Sequence, residues 1–129
     1  MKGYFGNIEE ETMQNQDYRR VLYTAKNSQL VVMHLKPGEE IGEEVHQVDQ
    51  FFRFESGQGK VIIDGNERQV LDGAGVIVPA GARHNVINTS AALPLKLYSI
   101  YSPPQHKDGT RHQTKTDETE EHFDGKTTE

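Results

Sequence analysis

Cysteine is absent from this 129-residue chain, which removes any disulfide framework, any thiolate nucleophile and any cysteine-based zinc site. A chain without cysteine fits a reducing compartment, and the cytoplasm is the expected setting. Long apolar runs are also missing. No stretch approaches the roughly 18 apolar residues of a membrane span, and the start, Met1 to Gly6, lacks the apolar segment of a signal peptide. Membrane partners are therefore not expected. Positive charge is in deficit, with 14 Lys and Arg against 20 Asp and Glu, a net charge of -6 and a pI near 5.5. Such a surface repels phosphate backbones and argues against nucleic-acid binding. Hydrophobic content is only 33%, so the core must be concentrated in part of the chain.

That part lies between Arg19 and Tyr101. Short runs such as Leu30-Val31-Val32-Met33-His34-Leu35 and Leu95-Lys96-Leu97-Tyr98-Ser99-Ile100-Tyr101 are β-branched or large and apolar. Turn signals separate them, the strongest being Asp64-Gly65, which accepts positive φ cheaply. No segment displays a 3.6-residue apolar stripe. The expected architecture is a single all-β domain of barrel or sandwich type over 19–101, preceded by a polar arm (1–18) and followed by a polar extension (102–129). Tyr4, Phe5 and Ile8 give the arm an apolar patch suited to pairing with a neighbour or a second subunit. The extension has one large apolar side chain, Phe123, and cannot fold by itself; it is expected to lie along the barrel, with 117–123 either loose or in a helical turn or two.

Two segments carry candidate metal ligands. Glu44 and His46 are two apart and share a face if that segment is a strand. His84 follows the turn Pro79-Ala80-Gly81 and can bring a third donor from a different strand. Gln50 adds an amide oxygen if it opens its strand facing inward. Two imidazoles and one carboxylate suit a divalent transition metal (Zn, Fe, Mn, Ni or Cu) and leave coordination positions open, as in a reactive rather than a sealed site. Each of these residues has an ordinary reading by itself: a polar strand His, a solvated acidic pair, a turn. Their pairing in two spaced segments is what points to a site.

At these residues the sequence resembles the cupin family. The family's first motif reads Gly, five residues, His-x-His, three or four residues, Glu, six residues, Gly; here Gly38, Glu44, His46, Gln50 and Gly57 fill it. The second reads Gly, five residues, Pro-x-Gly, two residues, His, three residues, Asn; Gly73, Pro79, Gly81, His84 and Asn88 match throughout. The resemblance implies a jelly-roll β-barrel with the metal inside one mouth, ligand positions at Glu44, His46, Gln50 and His84, and homodimers formed through sheet edges. Glu44 stands where the family usually has His, and Gln50 where it usually has Glu. The chain also looks like small members labelled mannose-6-phosphate-isomerase-like, whose larger namesakes hold zinc with two His, one Glu and one Gln.

Further candidates are weighed against plainer roles. His34 is either a general base near the metal or a structural histidine. Arg53 is either an anchor for an anionic substrate or a partner of Asp49. Tyr98 and Tyr101 face opposite sides of one strand, so one of them can reach the cavity. Phe51, Phe52 and Phe54 are expected in the core. His106, Asp108 and His112 form a polar cluster that is solvated, folds over the mouth, or meets a second subunit. Only Arg53 and Arg83 lie near the motifs, which weakens a sugar-phosphate substrate. Three functions remain in view: Lewis-acid, isomerase-like chemistry on a small oxygenated or carbohydrate-like molecule; oxidation or C–C cleavage by a non-haem metal oxygenase; and a small-molecule binding or sensor module without turnover.

Overall fold

A computed structural model describes residues 1–129 as two antiparallel sheets facing each other. The strands are β1 (Arg19–Thr24), β2 (Gln29–Leu35), β3 (Glu44–Val45), β4 (Asp49–Ser56), β5 (Gln58–Ile63), β6 (Asn66–Leu71), β7 (Gly75–Val78), β8 (Arg83–Asn88), β9 (Leu95–Ser102) and β10 (Arg111–His112). One sheet runs β10-β1-β2-β9-β4-β7 and the other β3-β8-β5-β6. The inward residues of both sheets make one core, including Val31, Met33, Leu35, Phe52, Phe54, Val61, Val86, Leu95 and Leu97. Alternation along β4 and β9 gives each strand one buried face. This is the all-β domain expected from the strand pattern and the jelly-roll barrel that the family resemblance implies.

Turn chemistry fixes the register. Asp64 and Gly65 both have positive φ (47° and 83°), so β5 and β6 close as a tight hairpin with Ile63 opposite Asn66. Gly57, between β4 and β5, has φ +97°, and a Cβ there would lie 2.4 Å from the Pro94 carbonyl oxygen. Only glycine fits that turn.

Two expectations need correction. A helix does form: α1 (Ile8–Gln14), capped by Asn7, whose side-chain oxygen accepts from the Glu10 amide at 3.0 Å. Seven residues make too short a helix to show a stripe in the sequence, yet α1 packs on the outer side of β2, β4 and β9 and buries Thr12. Phe51 is not in the core; it lies on the outer face, with its ring centroid 6.3 Å from that of Tyr98. In the C-terminal segment a turn of 3-10 helix covers Lys115–Asp117, and 118–123 holds no helix, the looser of the two forms expected there.

The C-terminal segment does lie along the barrel. β10 pairs with β1, Arg19 opposite His112. Farther on, His106 and His122 form an isolated bridge, the Phe123 amide donates to the Gln105 carbonyl at 3.0 Å, and the Thr128 amide donates to the Thr24 carbonyl at 2.9 Å. His106 and His112 are buried by this wrapping, whereas Asp108 accepts a hydrogen bond from the Thr128 hydroxyl at the surface. No helix is long and apolar enough to cross a membrane.

Candidate metal centre

β3 and β8 put Glu44 directly opposite His84. His46 follows β3 in a loop held by backbone: the Gly81 amide donates to the His46 carbonyl at 2.8 Å. Gly81 can do this because it turns at φ +87° in the Pro79-Ala80-Gly81 bend. Asp49 Oδ1 accepts from the Ala80 amide at 2.9 Å and ties the same bend to β4. The two spaced segments are thus stitched together by main-chain bonds. Asn88 pins the far end of β8: its Nδ2 donates to the carbonyls of Leu35, Lys36 and Leu93 at 2.9–3.1 Å.

The result is a convergence of donors. One ligand atom from each of Glu44, His46 and His84 lies within 4.8 Å of the others. Glu44 Oε2 is 2.9 Å from His46 Nε2, and the two imidazole centroids are 5.3 Å apart. With metal–ligand bonds of about 2.0–2.2 Å, two ligands on one ion sit no more than roughly 4.4 Å apart, so small side-chain movements suffice.

Hydrogen bonding supports the fit to a cation. His84 Nδ1 lies 3.1 Å from the Ala82 carbonyl, which holds the ring in the tautomer protonated at Nδ1. Its Nε2 then offers a lone pair, and that atom is buried without a partner. Burial lowers the His84 pKa, the Ala82 contact opposes this, and His46 lowers it further, so His84 stays neutral and able to ligate. Burial by itself would raise the Glu44 pKa; the hydrogen bond and charge of His46, with Arg19 and His84, outweigh it and keep the carboxylate ionised. Gln50 is buried on the inner face of β4, its Nε2 donating to Ser99 Oγ at 2.9 Å and its Oε1 unpartnered. Orphaned buried polar atoms are scarce in folded proteins. Nitrogen, nitrogen and carboxylate donors with an amide oxygen in the same interior suit a divalent transition metal.

Other expected residues lie elsewhere. Alternation that turns Gln50, Phe52 and Phe54 inward turns Arg53 outward. Arg53 Nε donates to Glu55 Oε1 at 2.7 Å, not to Asp49. Tyr98 is opposite Arg53 and shares the outer face. His34 is on the outer side of β2, half-buried near α1 and Lys96, far from any base's position beside the donors. Arg83 is exposed and pairs with Glu43 at 3.0 Å.

Four further residues gather around the donors: Tyr101 and His106, which the sequence offered among alternatives, and Arg19 and Glu118, which it did not. Tyr101, not Tyr98, is the inward tyrosine, paired across the sheet with Gln50 and 5.9 Å from His46 between ring centroids. Burial pushes its hydroxyl up to about 12. That hydroxyl is 3.2 Å from His106 Nε2, and burial with the Arg19 charge depresses His106 to about 2. Arg19 itself is 2% exposed. Its Nη1 donates to Glu118 Oε2 at 2.6 Å. Arg19, Glu44, His46, His106, Glu118 and His122 border a cavity of about 340 Å³ at the barrel mouth. The Arg19-x-Val21 alternation is the one local hint that Arg19 faces inward.

Comparison with known proteins agrees with this architecture. The family described as Cupin domain matches residues 31–101, which include both motifs. The protein YrkC of Bacillus subtilis (strain 168) is 47% identical over 123 residues, 90% of this chain. The chain spans 66% of that relative's length. A protein of Acanthamoeba polyphaga mimivirus is 44% identical over 110 residues, covering 82% of this chain and 69% of the relative. Among solved structures, BH2720 from Bacillus halodurans superposes with a TM-score of 0.87 at 43% identity, covering 90% of this chain and 92% of that one.

Proposed function

Because this chain belongs to the cupin family, we propose that it is a metal-dependent enzyme acting on a small oxygenated molecule at the barrel mouth. The observation that carries the reading is the unpartnered, buried Nε2 of His84 beside Glu44 and His46. A divalent transition metal bound there supplies Lewis acidity, polarising a carbonyl oxygen of the substrate. The chain does the rest. Ala82 fixes the His84 tautomer, Glu44 contributes negative charge, and Gln50 offers an amide oxygen. Tyr101, protonated at neutral pH, shares a hydrogen bond with His106, which stays neutral and borders the cavity.

Isomerase-like proton transfer needs a base whose pKa lies near the working pH. The base expected from the sequence, His34, is on the outer face. A second reading is an oxygenase using the two-His, one-carboxylate set to oxidise a phenolic or enol substrate. The absence of cysteine and the acidic balance support a cytosolic protein with a small-molecule partner, and the exposed sheet edges support a homodimer.

Elemental analysis of protein purified without a metal-affinity tag tests the shared premise. One metal per chain is expected. Zinc together with deuterium uptake at a carbon beside a carbonyl, followed by NMR in heavy water, selects isomerase-like chemistry. Iron, manganese or copper with oxygen consumption on phenols or diketones selects the oxygenase. Bound metal with neither activity selects a binding module. A chain that retains no metal, even after its addition, overturns the proposal.

A further inference from the structure

We propose that the substrate carries a carboxylate, that Arg19 is its anchor, and that Glu118 occupies that anchor when substrate is absent. The inference rests on the metal-centre reading only for where the reacting atoms lie.

Arg19 opens β1 on the inward face and is 2% exposed. A guanidinium is always charged, and a charge so deep needs an anionic partner. What it has is a single-point contact, Nη1 to Glu118 Oε2 at 2.6 Å, while its buried Nε has no acceptor. The guanidinium fork is built to take a carboxylate through two parallel bonds. The fork is thus not filled by Glu118, and Arg19 borders the cavity that it shares with Glu44 and His46.

The two partners differ in freedom. Arg19 belongs to a strand paired on both sides, by β10 and by β2. The Glu118 side chain is 33% exposed and belongs to a stretch without helix or strand, just after the Lys115–Asp117 turn. Glu118 can move into water, and Arg19 cannot follow it. Whatever replaces Glu118 must therefore bring its own negative charge. Size and charge narrow the class. About 340 Å³ is near the low end of ligand pockets, which run roughly 300–1,000 Å³. Glu44, Glu118, Glu120 and Glu121 border the same space and disfavour a dianion such as phosphate. A small monocarboxylate with a neighbouring oxo or hydroxyl oxygen satisfies both ends: its carboxylate on the Arg19 fork, its second oxygen toward Glu44, His46 and His84.

Calorimetric titration of the full chain, as purified with its metal, tests this with acetate, lactate and pyruvate, each against its uncharged amide. The wild type is expected to bind at least one acid in preference to its amide. Arg19→Lys keeps the charge but loses the fork, and is expected to weaken that acid by roughly 30-fold or more. Glu118→Gln removes the competitor at a part-exposed position and is expected to tighten the same acid about tenfold, with its amide unchanged. Metal content is measured on every sample. If no acid is preferred over its amide, or if Glu118→Gln weakens acid binding, the proposal is overturned, whatever the metal content. If Glu118→Gln tightens the acid in a chain that holds no metal, the carboxylate anchor stands and the metal-centre reading falls.

Discussion

The large sheet presents polar side chains on both faces, and the two faces treat them differently. On the outer face Arg53 is matched by Glu55, and Lys96 Nζ donates to the Asn15 carbonyl at 2.8 Å. One buried atom there, His34 Nδ1, lacks a partner. On the inner side the unpartnered atoms include Gln50 Oε1, Arg19 Nε, His112 Nδ1 opposite Arg19, the hydroxyl of the core residue Tyr18 and, from the facing sheet, His84 Nε2. An isolated orphan such as His34 Nδ1 is a packing cost carried by the fold. Several within one interior, of complementary chemistry and next to a cavity, make a place for a ligand.

The contrast is open to attack, most severely at His84. Replacing it with Ala is expected to lower metal affinity by more than about 100-fold, read by elemental analysis, with the strand circular-dichroism signal retained. Unchanged metal content would erase the distinction between the faces. Next is Gln50→Ala, for which a loss of about 10- to 100-fold in metal affinity is expected if the amide oxygen ligates; an unaltered affinity would restrict the donors to the other three. A smaller effect concerns His106, held at about 2 by burial and by Arg19. The unfolded chain protonates this group near 6.5, before the folded chain does, so its contribution is complete above that pH. It is lost as pH falls toward the folded value, by about 1.4 kcal/mol per pH unit. Thermal melts between pH 6.5 and 4 should therefore fall less steeply for His106→Gln than for the wild type. Least of all, Arg53→Ala and Tyr98→Phe should leave metal content and ligand binding at wild-type levels, because both side chains are on the outer face. A change in either would mean that the outer face takes part after all.

The sequence made the parts of the site fixed by local spacing readable. Glu44 and His46 are two apart, His84 follows a Pro-x-Gly bend, and the glycines mark where the chain turns. Parity alone also separated Tyr98 from Tyr101, but it could not say which faces inward. That needs the register of β9 against β4, where Tyr101 meets Gln50. Gln50 taken as inward already implies that Phe51 and Arg53 point out; the bulk of Phe51 suggested core, yet large apolar side chains are common at surfaces. Helix α1 has too few residues for its periodicity to register. The contact between Arg19 and Glu118 joins residues 99 positions apart, and nothing near either one in the chain announces it.

The backbone bond from Gly81 to the His46 carbonyl bears on how such a centre changes over time. It fastens the two donor-bearing loops through peptide groups, without using any donor side chain. Exchange at positions 44 and 50, where Glu and Gln now stand, therefore leaves the frame intact while altering charge and hardness toward cations. On such a frame a single substitution at either position is expected to change the charge offered to a cation while the chain still folds.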